Sequence, residues 1–313
     1  MKQYKYQMHA HTHPCSACSL LSPEELVESL RAGGYAGCVI TNHFLHGNTG
    51  IDRRLAWEDF VAYYERDYLE CKELAKKYDI DILFGVEEGV GGALEILCYG
   101  ITPELLYHNP KLADGKLKDW YRVMKAEGAV CIQAHPYRER NYIPQPGLLP
   151  LELIDGIEIT NTGNMEKNNL EAEEAAKEHS EWILVAGGDC HTTDRVCSGG
   201  IVTNVRIRTE QQLAQVLQSG EFSLITKLEN SHPTDGCYFL VGYLVAKGQQ
   251  LADAAAEHPM QPVAPDHKGQ IQSDDDKHIQ YLGQTSAQDS LQALPHLLQR
   301  SDVALVEIIE VGF

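Results

Sequence analysis

Short apolar runs alternate with longer amphipathic stretches through residues 1–226 of the chain. The apolar runs lie at about 37–41, 80–86, 129–134, 156–159 and 182–185. Their length and composition predict strands buried on both faces. The stretches at about 57–77, 118–127 and 166–179 carry apolar residues at helical spacing. Roughly seven strand-then-helix units in succession are typical of a (β/α) barrel, so the pattern predicts an α/β fold for residues 1–226.

This pattern ends near residue 227, and residues 227–313 read as an appendage. Apolar runs near 238–245, around Ile271 or Ile279, and at 303–311 predict strands, and helical spacing recurs near 251–257 and 286–298. A small α+β subdomain of unknown role is therefore predicted after the barrel. Its histidines have no ligand spacing, so no chemistry is expected of them.

Polar residues with metal-binding side chains follow the predicted strands. His9 and His11 end the first strand, and Asp189 and His191 follow a later one with the same i, i+2 spacing. Residues two apart in an extended chain point the same way, so each pair enters one cavity while Ala10 faces the opposite layer. Further candidates at or near other strand ends are His43, Glu87, Glu95 and His135. Imidazole and carboxylate together favour Zn²⁺, Mn²⁺ or Fe²⁺ over Ca²⁺ or Mg²⁺.

Composition narrows the classes of partner. The chain has 26 basic and 45 acidic residues and a net charge of −19, which disfavours nucleic acid or an anionic membrane surface as its partner. Its nine cysteines are scattered, several of them in apolar runs, which indicates reduced thiols and a cytoplasmic location. No apolar stretch approaches the roughly 20 residues that span a bilayer. A small phosphorylated substrate is compatible with this charge, and a homo-oligomer is left open.

In chain order, the motifs His9-x-His11, His43, Gly85-x-Glu87, His135-Pro136 and Gly188-Asp189-x-His191 resemble those of the PHP family, named for its polymerase and histidinol phosphatase members. The resemblance covers about residues 1–226. It implies a distorted (β/α)7 barrel that holds two or three Zn, Mn or Fe ions. It also implies hydrolysis of phosphoesters as the usual activity.

The resemblance also implies how the ligands are shared. It gives His9, His11, Glu87 and Asp189 to one ion, makes Glu87 a bridge to a second ion with His135, and gives His43 and His191 to a third. Glu95 stands where relatives often have histidine, so it is either a ligand of the second ion or part of an internal ion pair.

The first loop departs from the family pattern. Ser16 replaces an expected acidic residue, so the third ion is either weak or recruits His13, Cys15 or Cys18. The spacing Cys15-x-x-Cys18 also suits a redox or zinc pair, against the alternative of buried structural thiols.

The leading hypothesis is a metal-dependent phosphoesterase in which a hydroxide bridging two ions attacks phosphorus. Arg138, Arg140 and Arg195 are candidates to clamp phosphate oxygens, and Asn161 to hydrogen-bond the substrate. A metal-bound water, His191 or His43 is a candidate proton donor to the leaving group.

Three alternatives remain. A PHP-type nuclease would use the same ions but would need a basic track for the backbone. An amidohydrolase also starts with His-x-His, but it usually has a modified lysine where this chain has Glu87. A non-catalytic, metal-binding regulatory module is favoured by the replacement of the expected acidic residue by Ser16. The sequence leaves the phosphoester and the native metal open.

Overall fold

The computed structural model describes residues 2–226 in full and, beyond them, the backbone of four strands at 238–243, 270–272, 278–285 and 305–310. The chain forms two compact units, of residues 1–229 and 230–313. No helix in the described part of the chain is long and apolar enough to cross a membrane.

The first unit contains nine strands and six α-helices. The strands are β1 (Tyr4–Ala10), β2 (Gly37–Ile40), β3 (Asp81–Gly89), β4 (Glu95–Tyr99), β5 (Val130–Gln133), β6 (Gly156–Asn161), β7 (Ile183–Gly187), β8 (Gly200–Thr203) and β9 (Ser223–Ile225). The helices are α1 (Pro23–Ala32), α2 (Trp57–Ala75), α3 (Pro103–His108), α4 (Leu117–Ala126), α5 (Glu166–Ala176) and α6 (Glu210–Ser219). Short 3-10 turns lie at Lys76–Tyr78, Pro110–Asp114, Leu151–Leu153 and Thr193–Arg195.

The nine strands form one sheet in the order β7-β6-β5-β4-β3-β2-β1-β8-β9. Strand β2 pairs in parallel with β1 and β3, and β6 pairs in parallel with β5 and β7. Strand β4 runs antiparallel to both of its neighbours, β3 and β5. The segment that follows the end strand β7 returns to β1, where Cys190 N donates to His9 O at 3.1 Å and His11 N donates to Cys190 O at 3.0 Å. The sheet is thus a nearly closed, distorted barrel, and the predicted α/β barrel class is confirmed.

Two apolar layers line the sheet. Side chains such as Val39, Leu83 and Leu97 pack together in the barrel interior, and their sequence neighbours Cys38 and Phe84 pack in a second cluster with the helices. This alternation is what a pleated strand with both faces covered produces. The eight cysteines that the structure describes are free, and six of them are buried.

Helix α1 begins where its sequence supplies the missing hydrogen bonds. The Ser22 side chain accepts from Glu25 N, and the Glu25 carboxylate accepts from Ser22 N, so the two residues form a capping box. Pro23 occupies the first turn, where a missing N–H costs nothing. The buried residues Leu26 and Leu30 lie four apart and face the sheet.

A register shift between Gln7 and Ala10 interrupts the pairing of β1 with β2. The Gln7 side-chain oxygen accepts from Met8 N at 2.9 Å and from His9 N at 3.1 Å, which satisfies backbone groups where the ladder is irregular. Met8 packs in the interior cluster, while Ala10 packs in the helix-side cluster. The irregularity therefore includes His9 and lies just before His11.

The second unit contains an antiparallel sheet of four strands, β10 (Tyr238–Tyr243), β11 (Gln270–Gln272), β12 (His278–Thr285) and β13 (Leu305–Glu310). Their order is β11-β12-β10-β13. These strands coincide with the apolar runs predicted there. The two helical patterns predicted at 251–257 and 286–298 lie outside the described residues.

Candidate metal centre

The structure brings all eight predicted metal ligands to one end of the barrel. His9 and Glu87 lie on β1 and β3, Glu95 begins β4, and the others follow strand ends: His11 after β1, His43 after β2, His135 after β5, and Asp189 and His191 after β7. They form overlapping triads whose ligand atoms lie within 4.8 Å of one another: His9 with Glu87 and His135, His9 with His11 and Asp189, His43 with Glu87 and Glu95, and His11 with His43 and His191.

Glu87 lies at the middle of this arrangement and is fully buried. Its Oε1 is 3.0 Å from His135 Nε2 and 3.2 Å from His9 Nε2. Its Oε2 is 2.8 Å from His43 Nδ1 and 3.3 Å from His11 Nε2. Each carboxylate oxygen thus faces its own pair of imidazoles, which is the arrangement a bridging ligand requires.

Asp189 completes the group around His9 and His11. Its Oδ1 is 3.4 Å from His9 Nε2 and 3.1 Å from His11 Nε2, while Oδ2 accepts a hydrogen bond from Arg138. With Glu87, these residues offer two imidazoles and two carboxylates around one volume, a donor set that suits a divalent transition metal or zinc.

Glu95 lies between two of the histidines. Its Oε1 is 3.5 Å from His43 Nδ1, and its Oε2 is 3.5 Å from His135 Nε2. Burial and the adjacent charge of Glu87 raise the pKa of Glu95. This side chain lies at the centre itself, so both the ligand role and the ion-pair role remain compatible with its position.

The third group contains His11, His43 and His191. The His191 ring donates from Nδ1 to the Asp189 carbonyl at 2.8 Å, so its Nε2 is left facing the Cys18 thiol at 3.0 Å. Burial alone would raise the pKa of Cys18, but hydrogen bonding and charge from His191 and His43 lower that pKa to about 6.

Two ligand residues occupy the left-handed backbone region. The φ angles are 27° at His135 and 48° at Asp189, values that side chains with a Cβ adopt at a cost. His135 also precedes Pro136, which further restricts its backbone. These turns lie directly after β5 and β7, and strained backbone of this kind persists where surrounding structure holds it in place.

Four buried polar atoms in this centre make no well-directed hydrogen bond within the described chain, although each lies 2.8–3.4 Å from another ligand atom: His9 Nε2, His11 Nε2, His43 Nδ1 and Glu87 Oε2. Buried polar atoms are normally paired, because an unpaired one loses its hydration without compensation. All four atoms face the shared volume between the ligand groups. A bound cation would satisfy them together, so these residues fit divalent metal ions.

The charges of the buried ligands influence one another. Burial alone would raise the pKa of Glu87, but the positive charges of His9 and His43 hold it well below its usual range. Burial lowers the pKa of His11, as do the neighbouring charges of His43 and His191. Metal ions that bind these ligands would displace any protons that the imidazoles carry.

Groups behind the ligands fix their orientation. Glu158 on β6 lies 2.9 Å from His9 Nδ1 through Oε1 and accepts from His135 N at 3.1 Å through Oε2. Ser16 Oγ lies 3.1 Å from His11 Nδ1. A partner on the second ring nitrogen fixes the tautomer of a histidine ligand and leaves the other nitrogen free for a metal.

The predicted substrate-binding residues have different surroundings. Arg138 is buried and bonds Asp189 and, at 2.7 Å, Asn164 Oδ1. The Asn161 amide donates to Glu158 Oε2 at 2.8 Å. Both side chains are therefore engaged in holding the centre together.

The other two arginines are more accessible. Arg140 and Arg195 are partly exposed, and Arg195 donates to the Thr162 carbonyl at 2.6 Å.

The candidate ligands of the first loop differ in burial and in their contacts. His13 is exposed, and Cys15 is buried against Tyr64, with its Sγ 3.8 Å from the Tyr64 carbonyl. Ser16 donates to Asn42 Oδ1 at 2.9 Å and accepts from His43 N at 3.0 Å. Among His13, Cys15, Ser16 and Cys18, it is Cys18 that places a metal-binding atom, its Sγ, against a histidine ligand, His191.

Sequence reasoning missed Glu158. The signal was present, because Glu158 is a charged residue inside the apolar run of β6, just as Glu95 is in β4. A buried carboxylate requires a partner, and His9 supplies it from a position 149 residues away in the chain.

The fold is similar to solved structures at low sequence identity. A two-domain protein from Bacteroides vulgatus that contains a predicted PHP-like metal-dependent phosphoesterase aligns over 91% of this chain and 88% of its own, with 14% identity and a TM-score of 0.54. PsfC from Pseudomonas syringae aligns over 73% and 93%, with 13% identity and a TM-score of 0.53. A lesion-specific endonuclease from Pyrococcus furiosus aligns over 81% and 66%, with 13% identity and a TM-score of 0.51.

No protein-family model and no curated protein matches the chain. The structural similarity nevertheless shows a PHP-like fold, the fold that the motif resemblance predicts. The ligand groups occupy one end of that fold.

Proposed function

We propose that this protein is a metal-dependent hydrolase of small phosphoesters. The observation that carries the proposal is the position of Glu87, whose two oxygens face separate pairs of histidines at 2.8 to 3.3 Å. A carboxylate so placed is suited to hold two cations close together. Paired cations are a common device for displacement at phosphorus.

The ligands divide into sets around that carboxylate. With Glu87, one ion takes His9, His11 and Asp189, and a second takes His135 and Glu95. His43 and His191 remain for a third. Two or three ions of Zn²⁺, Mn²⁺ or Fe²⁺ are therefore proposed, because the combined set exceeds the roughly four positions of one zinc ion.

The bound ions would supply Lewis acidity and a water of lowered pKa next to the phosphate. The chain's own residues supply placement. Glu158 holds the ring of His9, and Arg138 holds Asp189 while keeping a positive charge at the edge of the centre. A metal-bound water, or His43 or His191 where its ring does not hold the third ion, would give a proton to the departing oxygen, and Asn161 keeps Glu158 in position.

The substrate is proposed to be a small phosphoester rather than a polynucleotide. A net charge of −19 opposes the approach of a long polyanion, whereas one or two phosphates can be accommodated by the ions and by the partly exposed Arg140 and Arg195. The nuclease alternative has one specific support, which is the similarity of the fold to a lesion-specific endonuclease.

A non-catalytic metal-binding module is the other alternative. All eight ligand positions hold metal-binding residue types, and all lie at the same end of the barrel. This favours a catalytic centre over a degenerate site that has lost its activity.

The test is hydrolysis by metal-stripped full-length protein after separate addition of Mn²⁺, Zn²⁺ and Fe²⁺. The substrates are a panel of phosphorylated metabolites and single-stranded DNA carrying base lesions. Metal-dependent release of phosphate from small esters, absent from Glu87→Gln, is the expected result. Cleavage of DNA alone would establish the nuclease, and metal binding without any hydrolysis would establish the non-catalytic module.

A further inference from the structure

Cys18 is held beside the third ligand group by the backbone of its own loop. Ala17 N donates to the Asn48 carbonyl at 2.9 Å, and Leu20 N donates to the His191 carbonyl at 3.0 Å. These bonds fix the loop on both sides of Cys18. Its Sγ lies 3.0 Å from His191 Nε2, the ring nitrogen left over after Nδ1 bonds the Asp189 carbonyl.

The loop that carries this thiol supplies no hard ligand of its own. Residues 12–22 include no Asp or Glu, and Ser16 is occupied by Asn42 and by the backbone of His43. The imidazoles of His11, His43 and His191 lie close enough to share one cation.

We propose that Cys18 is the thiolate ligand of a metal ion held with His43 and His191. A sulfur ligand makes this position soft, so it takes Zn²⁺ or Fe²⁺ in preference to Mn²⁺ or Mg²⁺. The site would then differ in metal preference from the His and carboxylate sets around Glu87. The inference rests on the proposed function only in requiring that the centre binds metal, not that it cleaves phosphoesters.

The test is cobalt substitution of the metal-stripped full-length protein, followed by absorption spectroscopy and a count of bound cobalt. A thiolate bound to Co²⁺ gives an intense near-ultraviolet charge-transfer band that nitrogen and oxygen ligands do not give. Wild-type protein is expected to show this band. Cys18→Ser is expected to lose it, together with one bound ion per chain.

Two further variants control for folding and geometry. Cys15→Ser removes the other thiol of the loop, which is buried away from the centre, and is expected to keep the band. Cys18→Asp offers an oxygen ligand at the same position and is expected to bind the ion without the band. It should also shift the preference of that ion from Zn²⁺ towards Mn²⁺.

The outcomes separate this inference from the proposed function. Cobalt bound to wild-type protein without a charge-transfer band, or a band that survives in Cys18→Ser, would overturn the thiolate ligand and leave the rest of the centre intact. Failure of wild-type protein to bind any cobalt would overturn both.

Discussion

Two buried polar clusters lie side by side at one end of the barrel, and they satisfy their polar atoms in different ways. Around Asp67, the carboxylate accepts from Thr12 Oγ1 at 3.0 Å and from Cys15 N at 3.1 Å. Asn42 extends the network by donating to Thr12 Oγ1 at 2.8 Å. Around Glu87, four buried ligand atoms make no well-directed hydrogen bond within the described chain.

The difference shows which cluster is complete in itself. Both clusters bury carboxylates, and burial without partners is costly in either case. In the Asp67 network, hydrogen bonds from the protein offset that cost, and networks of this kind make the surrounding structure rigid. The Glu87 cluster has its free atoms pointing at one shared volume, so its natural partners are cations from outside the chain.

The same difference is seen between two adjacent residues of strand β3. Glu87 faces the ligand groups, whereas Glu88 faces the opposite layer and is bonded by His46, at 3.0 Å through the backbone N–H and at 2.7 Å through the ring. Both carboxylates are fully buried. Alternation along a strand therefore gives the two glutamates separate tasks.

The largest expected effect is that of Glu87→Gln. The amide keeps the size of the side chain but removes the charge that would hold two ions together, so metal content should fall and hydrolysis should drop by orders of magnitude. Glu88→Gln is the matched control, and it should keep its metal and most of its activity. Metal analysis and turnover of both variants measure the effect. The reverse outcome would mean that the strand faces are assigned the wrong way round.

Metal removal should destabilise the wild-type protein. An ion present at about 100 times its dissociation constant contributes about 2.7 kcal/mol to folding stability, which corresponds to a fall in Tm of roughly 5–10 °C on chelation. Thermal unfolding with and without a chelator measures the shift. Glu87→Gln should respond much less, and an equal shift in that variant would show that the chelated ions lie elsewhere.

Glu158→Gln should have a smaller effect on the centre. It keeps a hydrogen-bonding side chain beside His9 but removes the charge that fixes the ring, and losses of this kind typically cost about 10–100-fold in metal affinity. Competition with a fluorescent chelator measures the change. Glu166→Gln, on the exposed surface of α5, serves as the control. Unchanged metal affinity in Glu158→Gln would show that Glu158 does not support the metal-binding position of His9.

The smallest effect on metal is expected from Asp67→Ala. Loss of the carboxylate leaves Thr12 Oγ1 and Cys15 N without their acceptor, which should cost about 1–3 kcal/mol of stability. Urea unfolding measures this loss, and metal content should stay at the wild-type count. A variant that folds fully but binds no metal would show that the two clusters are one functional unit.

The barrel and the ligand-bearing strand ends were predictable because they depend on local patterns. Buried strands are short apolar runs, and a ligand at a strand end stands out from its apolar neighbours, as His43 and His135 do. Strand β8, at Gly200–Thr203, and helix α3, at Pro103–His108, were not predicted. They are short, and β8 is defined by antiparallel pairing with β1, which lies almost 200 residues earlier.

The remaining features of the centre depend on contacts between distant segments. The bond between Glu158 and His9, the bond between Arg138 and Asp189, and the approach of Cys18 to His191 each join strands or loops far apart in the chain. Local spacing carries no information about such pairs. Sequence reasoning could name Cys18 among several candidates, but only the folded loop separates it from His13 and Cys15.

The most direct test of the account is the number of metal ions in protein purified without oxygen and without added chelator. Elemental analysis should find two or more ions per chain, because the ligand set around Glu87 exceeds the roughly four positions of one zinc ion. One ion or none per chain would contradict the claim that the unpaired atoms of this cluster are built to hold several cations.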